Sequence, residues 1–254
     1  MSDRGHQMNV YWLEHTKQDV PEDSDWLSED EAAFLNGLRF PNRRDDWRLG
    51  RWTAKHALSL FLSMPPHPLA FAKIDVHAAS SGAPEAFFDK RPVAATISLS
   101  HRAGRAACAV AISGVEMGCD LEVAEPRSDA FVADYFTAEE QALVARASAT
   151  DRDRLLALLW SAKESALKAL GAGLRVDTRS VVVNPFPSSC DFDGWSRLMV
   201  RYSDGRVPGG HVFHGWWQRE HNLLRTVVAT PPPNSPVLLT LQPHAFDSLC
   251  CRCA

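Results

Sequence analysis

Leu159-Trp160-Ser161-Ala162-Lys163-Glu164-Ser165-Ala166-Leu167-Lys168 reads as the interior of a long helix. From Asp151, taken as its N-cap, no glycine or proline interrupts the chain until Gly171. Apolar residues recur at Leu155, Leu159, Ala162, Ala166 and Leu170, the spacing of a helix face turned toward a core. Trp160, Glu164 and Lys168 follow at four-residue steps on roughly the opposite side, so a carboxylate and an ammonium stand together beside an aromatic ring. Alone, this is also what an ordinary solvated Glu–Lys pair looks like, worth about a few tenths of a kcal/mol. Trp160 reads as packing, and Lys163 as solvated or paired.

A second acidic pair lies upstream, in Gly118-Cys119-Asp120-Leu121-Glu122. If this is a strand, alternation puts Asp120 and Glu122 on one face and sends Cys119 and Leu121 to the core. Adjacent carboxylates repel. A water-facing strand edge relieves that repulsion, and so does a hard divalent cation with oxygen ligands. A third carboxylate at the same point would favour the cation, and Glu164 is the one available.

With 254 residues, 45% of them hydrophobic and 23% charged, the chain can bury a core as one domain or two small ones. No stretch is long and apolar enough to span a bilayer. A net charge of −4 gives no global attraction to nucleic acid or acidic membrane, so a polyanionic ligand must meet a local basic cluster. The polar N-terminus lacks the apolar region of a secretory signal, and the protein is expected in the cytoplasm. Cys108, Cys119 and Cys190 lie in or beside apolar runs and suit buried reduced thiols. Cys250, Cys251 and Cys253 lack a partner pair with metal-ligand spacing and read as part of a tail.

Met8 to Glu14 reads as an opening strand, and Ser28 to Leu38 as a helix with a Ser28/Glu31 capping box. The spacing predicts a helix over 42–62 carrying Arg43, Arg44, Arg48, Arg51 and Lys55 after Arg39, ended by Pro65-Pro66. Those guanidinium groups fit either a solvated face or a phosphate-binding patch. Ser80 to Pro84 is a turn, followed by a loop to Pro92. Ala95–Leu99 and Ala106–Ile112 are strands, and Ser113-Gly114 is expected to join the latter to Val115–Val123 as a hairpin. Thr137 and Glu140 open a further helix as a capping box. Strands are expected at 176–183, 196–202, 211–218 and 223–230, with Pro231-Pro232-Pro233 ending the fold and the run Val237–Leu241 left unplaced.

The fold class that follows is α+β. No exact repeat is visible, but each half offers a helix and a run of strands, so residues 1–114 are expected as one subdomain and 115–230 as another, in a pseudo-twofold arrangement. Each has a small, mostly antiparallel sheet packed on a long helix, the active site lies in the cleft between them, and 231–254 is a tail.

Ser98-Leu99-Ser100-His101, Gly118-Cys119-Asp120-Leu121-Glu122, Phe136-Thr137 with Glu140, Trp160-Ser161-Ala162-Lys163-Glu164-Ser165 with Lys168, and Gly171 with Gly173-Leu174 together resemble the 4'-phosphopantetheinyl transferases. The resemblance is to the larger, monomeric, two-subdomain type, and the motifs run in family order from about Leu38 to Leu174. It implies transfer of the phosphopantetheine arm of coenzyme A to a serine of an apo acyl or peptidyl carrier protein, with release of adenosine 3',5'-bisphosphate. It implies Mg2+ held by Asp120, Glu122 and Glu164. Lys168 would contact phosphate, Ser100 and His101 coenzyme A, with His101 toward the 3'-phosphate, and Arg43, Arg44 and Arg51 the nucleotide. Glu164 is the group to accept the serine proton, directly or through a water; Lys168 and His101 complete the catalytic set. No nucleic acid or membrane partner is implied, and a monomer suffices.

One departure concerns a lysine that the family often carries ahead of this motif, where Gly82-Ala83-Pro84 has none; Arg102 is the proposed replacement. Two other readings compete: a Mg2+-dependent nucleotide pyrophosphate hydrolase, and a non-catalytic carrier-binding module. An intact Asp120, Glu122, Glu164 and Lys168 speaks against the second.

Overall fold

A computed structural model describes residues 8–65, 67–190, 194–203 and 210–240. In chain order its elements are β1 (Tyr11–Thr16), α1 (Glu29–Gly37), α2 (Pro41–Phe61), α3 (Pro68–Phe71), β2 (Ile74–Ala78), β3 (Pro84–Phe88), β4 (Arg91–Pro92), β5 (Ala95–Arg102) and β6 (Arg105–Ile112). Then follow β7 (Glu116–Val123), α4 (Asp129–Tyr135), α5 (Ala138–Arg146), α6 (Ala149–Ala169), β8 (Val181–Cys190), β9 (Ser196–Tyr202), β10 (His211–Glu220), β11 (Leu223–Thr230) and β12 (Val237–Leu238).

The layering can be read from β6. Ala107, Ala109 and Ala111 point one way, Cys108 and Val110 the other, as a two-residue period requires. The alanine face meets the second sheet at Met117, Cys119, Leu121, Trp216 and Val227, with Trp12 of β1 and Val10, just before that strand, beside it. The opposite face, with Leu13 and Ile97, receives α2 through Ala54, Ala57 and Leu58. On the far side, α6 sets Leu159, Ala162 and Ala166 against Leu198, Phe213 and Val228. The layers therefore run helix, sheet, sheet, helix, an α+β architecture. The first sheet has the order β12-β1-β6-β5, the second β7-β11-β10-β9-β8, and β2-β3-β4 form a small third. Among the described residues no helix is long and apolar enough to cross a membrane.

Several expectations are corrected. Ser113-Gly114 does not close a hairpin: β6 already has β1 on one edge and β5 on the other, so β7 pairs with β11 instead. The hairpin lies one strand earlier, between β5 and β6. The loop to Pro92 contains β3, paired with β2. The triple proline does not end the fold: Val237 and Leu238 return to pair in parallel with Tyr11 and Trp12, and Leu239 is buried in the first core. Helix α6 starts after Ser148, which caps it, rather than at Asp151. The cysteines at 250, 251 and 253 lie outside the described residues.

Two buried ion pairs tie the helices down. Ser28 caps α1 in a capping box with Glu31, and Glu31 goes on to pair with Lys55 of α2 and to accept the Val76 N–H at 3.3 Å. Lys55 also donates to the carbonyls of Trp26 (3.0 Å) and Phe71 (3.1 Å). The device recurs in the second half: Thr137 caps α5 with Glu140, which pairs with Lys163 of α6 at 2.9 Å and accepts the Val183 N–H at 3.0 Å. Lys163 also donates to the carbonyls of Thr178 (2.8 Å) and Val181. Both lysines are 0% exposed, so each ammonium is fully desolvated and its partners are obligatory.

Candidate functional site

Strand β7 and helix α6 press together at Gly118, where any side chain would collide with the Ser165 carbonyl. That close approach brings Asp120, two residues along the strand, under the Glu164–Lys168 turn of the helix. Lys168 Nζ donates to Asp120 Oδ1 at 2.7 Å and to the Cys119 carbonyl at 3.0 Å. Ser100 Oγ donates to the same Oδ1 at 2.8 Å. Asp120 is 3% exposed, and its Oδ2 is buried without a hydrogen-bond partner.

Glu122, also buried, points the same way as Asp120. Its Oε1 accepts the Val123 N–H at 3.0 Å and lies 3.1 Å from both Arg102 and Arg127. The two arginines also reach Glu125, at 2.6 and 3.2 Å. Arg102 is therefore committed to the carboxylates and does not replace the missing lysine in the cavity. Burial pushes the Glu122 carboxyl above its ordinary range, against the pull of the Val123 amide and the two arginines. Glu164 is pushed up to about 7, first by burial and then by Asp120, with Lys168 opposing and Glu122 adding. For Lys168, burial opposes the charge, but Asp120, the Cys119 thiol and Glu164 outweigh it and hold the ammonium above its usual range. The cluster thus has a carboxylate able to exchange a proton near neutrality beside a cation that keeps its own.

Among the described residues, no group of three or more His, Cys, Asp or Glu side chains is arranged as a ready metal cage. The donor chemistry still fits Mg2+. Asp120 Oδ2 is a buried hard-oxygen acceptor with nothing to accept from. Mg2+ characteristically takes one or two carboxylates and completes its shell with water and substrate phosphates. Asp120, Glu122 and Glu164 are the residues that would hold it.

A cavity of about 720 Å³ opens beside the cluster. Leu167, Lys168 and Gly171 line it from one half of the chain, and Arg51, Ala83 and Leu99 from the other. Its size suits a cofactor-sized ligand, and Lys168 belongs to both cavity and cluster. Of the basic stretch, Arg51 lines the cavity, with its Nε buried, unpartnered and 3.6 Å from Glu31. Arg44 turns to the Leu38 carbonyl at 3.4 Å, Arg43 is exposed, and Arg48 is spent on the carbonyls of Pro21, Glu22 and Asp23. His101 is exposed at the end of β5, on the face that strand alternation shares with Leu99.

The seam between the sheets has almost no local signature in the sequence. Strand β7 is the edge of its sheet, and the N–H groups of Cys119 and Leu121 that face away from β11 are taken by the hydroxyls of Ser98 (2.9 Å) and Ser100 (3.1 Å) on β5. The only signal available was the two-residue spacing shared by Ser98/Ser100 and Cys119/Leu121.

A family model described as the 4'-phosphopantetheinyl transferase superfamily matches residues 116–205, from the start of β7 through α6 and β9. The chain is also 27% identical over 197 residues to the 4'-phosphopantetheinyl transferase HetI of Nostoc sp. (strain PCC 7120 / SAG 25.82 / UTEX 2576), an alignment covering 76% of this chain and 81% of that protein.

Proposed function

We propose that the chain, similar over residues 116–205 to the 4'-phosphopantetheinyl transferase superfamily, is such a transferase: it moves the 4'-phosphopantetheine arm of coenzyme A to a serine of an apo carrier protein, with Mg2+ as cofactor. The observation that carries this reading is the position of Lys168, which touches Asp120 and lines the cavity. It joins a place for a nucleotide to a place for a cation.

In this reading coenzyme A lies in the cavity, with Arg51 and His101 toward its phosphorylated nucleotide and Lys168 toward its pyrophosphate. Arg43 and Arg44 stand outside the cavity lining and act only through long-range charge. The carrier serine attacks the pyrophosphate phosphorus that bears the pantetheine arm. The P–O bond to the other phosphate breaks, and adenosine 3',5'-bisphosphate leaves. Glu164, directly or through a water, accepts the proton lost by the serine hydroxyl. Lys168 remains an ammonium throughout and offsets charge on the phosphates. Bound Mg2+ would supply further charge neutralisation at the pyrophosphate.

Product analysis by chromatography tests the reaction class. Adenosine 3',5'-bisphosphate should appear only when an apo carrier protein is present. Free phosphopantetheine formed without a carrier would instead establish a pyrophosphate hydrolase. The position of Ala83 makes a narrower prediction. It lines the cavity, and if it stands at the position where the resemblance places a lysine, Ala83→Lys should tighten coenzyme A binding about fivefold, the worth of roughly 1 kcal/mol for a partly exposed charge pair. An unchanged dissociation constant by calorimetry would place the phosphates elsewhere.

A further inference from the structure

We infer that Ser100 is a positioning residue for Asp120: together with Lys168 it occupies Oδ1 and leaves Oδ2 as the one oxygen offered to a divalent cation. This rests on the metal reading above and departs from the expectation that Ser100 contacts coenzyme A.

The hydroxyl of Ser100 has one proton, and the structure spends it on Asp120 Oδ1 at 2.8 Å. Ser100 Oγ itself accepts the Leu121 N–H at 3.1 Å. Ser100 is only 8% exposed, so both bonds are made away from bulk water, where alternatives are costly. Lys168 approaches the same Oδ1 at 2.7 Å. With two donors on one oxygen and none on the other, the carboxylate cannot rotate without losing both bonds, and Oδ2 stays buried and unpartnered. Ser98 provides a built-in comparison. Two residues earlier on β5, it accepts the Cys119 N–H at 2.9 Å and so makes the equivalent link between the sheets, but no bond from its hydroxyl to Asp120 is formed. The seam therefore has one serine that only joins the strands and one that also aims a carboxylate. Groups that orient a metal ligand in this way commonly matter 10- to 100-fold to affinity.

The test uses Mn2+ as a spectroscopically visible probe on the full chain with coenzyme A present, by electron paramagnetic resonance. Ser100→Ala should weaken Mn2+ binding about 10- to 100-fold, with coenzyme A affinity in EDTA unchanged by calorimetry. Ser100→Thr, which restores the hydroxyl, should recover most of it, and Ser98→Ala should bind Mn2+ as the parent does. Should Ser100→Ala not fold, Ser100→Cys, with its weaker donor, should give an intermediate loss. Parent-like Mn2+ affinity in the Ser100 variants, or an equal loss in Ser98→Ala, overturns the inference alone. A drop in coenzyme A affinity in EDTA at constant Mn2+ affinity assigns Ser100 to the substrate instead. No Mn2+ binding by the parent protein overturns both this inference and the metal reading.

Discussion

Glu164→Gln is expected to cut transfer sharply and, in the same protein without metal, to raise thermal stability. The carboxyl titrates at about 7 because burial disfavours its charge and Asp120 repels it, with Lys168 opposing and Glu122 adding to the repulsion. A folded-state pKa above the unfolded value means that the stability contributed by this group is fully present below the unfolded pKa, about 4.5, and is lost as pH rises through about 7. Glutamine keeps the shape and removes the charge. At pH 8 in EDTA the variant should be more stable by about 2 kcal/mol, after discounting for partial exposure, or roughly 4–8 °C in Tm. The difference should close below about pH 4.5, so a melting series across pH checks both size and sign. Transfer should fall at least about 100-fold through loss of the proton acceptor. A variant less stable than the parent at pH 8 would mean that Glu164 has a compensating partner in solution. Near-normal transfer with Mg2+ present would remove it from catalysis. The opposed effects express a general condition: a site that gathers like charges for a cationic ligand is strained until the ligand arrives.

The second large effect is expected at Lys163→Met. The substitution leaves Glu140, 3% exposed, with its two backbone N–H bonds but without the ammonium that balances its charge. Breaking one partner of a buried pair costs about 3–5 kcal/mol, which for a chain of this size is a fall in Tm of roughly 10 °C. Replacing both partners, as Lys163→Met with Glu140→Gln, should recover much of the loss because no unpaired charge remains. Denaturant melts of the two singles and the double complete the cycle. Equal, additive losses would show that the pair is not coupled. Lys163 stands next to Glu164 but on another face of α6, so the double variant should keep transfer activity where it is folded.

These two neighbours also show what the sequence made legible. The proximity of Glu164, Lys168 and Asp120 is legible because the four-residue relation of Glu164 to Lys168 is local and because Asp120 and Glu122 share a strand face by simple alternation. The capping boxes at Ser28/Glu31 and Thr137/Glu140 were legible for the same reason, since cap chemistry acts within one turn. Their second role was not. Each boxed glutamate reaches across to a lysine in the next long helix, and only the near-equal spacing of Glu31 to Lys55 and of Glu140 to Lys163 hinted that one arrangement occurs twice. The hairpin expected at Ser113-Gly114 failed because local turn chemistry says nothing about which strand edges are free; β1 and β5 had already taken both edges of β6. Val237–Leu238 was unplaced because a two-residue strand carries no period. Arg51 and Arg48 looked alike in sequence, yet one lines the cavity and the other holds a loop by its carbonyls. Side-chain direction at the helix surface decides between them, and that depends on the packing.

In the proposed reaction Asp120, Glu122 and Glu164 serve a cation-dependent transfer from coenzyme A to a carrier serine. It is tested most directly by the intact mass of an apo carrier protein incubated with this protein and coenzyme A, in Mg2+ and in EDTA. A gain of about 340 Da is expected in Mg2+, absent in EDTA and absent with Asp120→Ala, since the charge on the pyrophosphate then goes unneutralised. A gain of the same size in EDTA, or with Asp120→Ala, would contradict it.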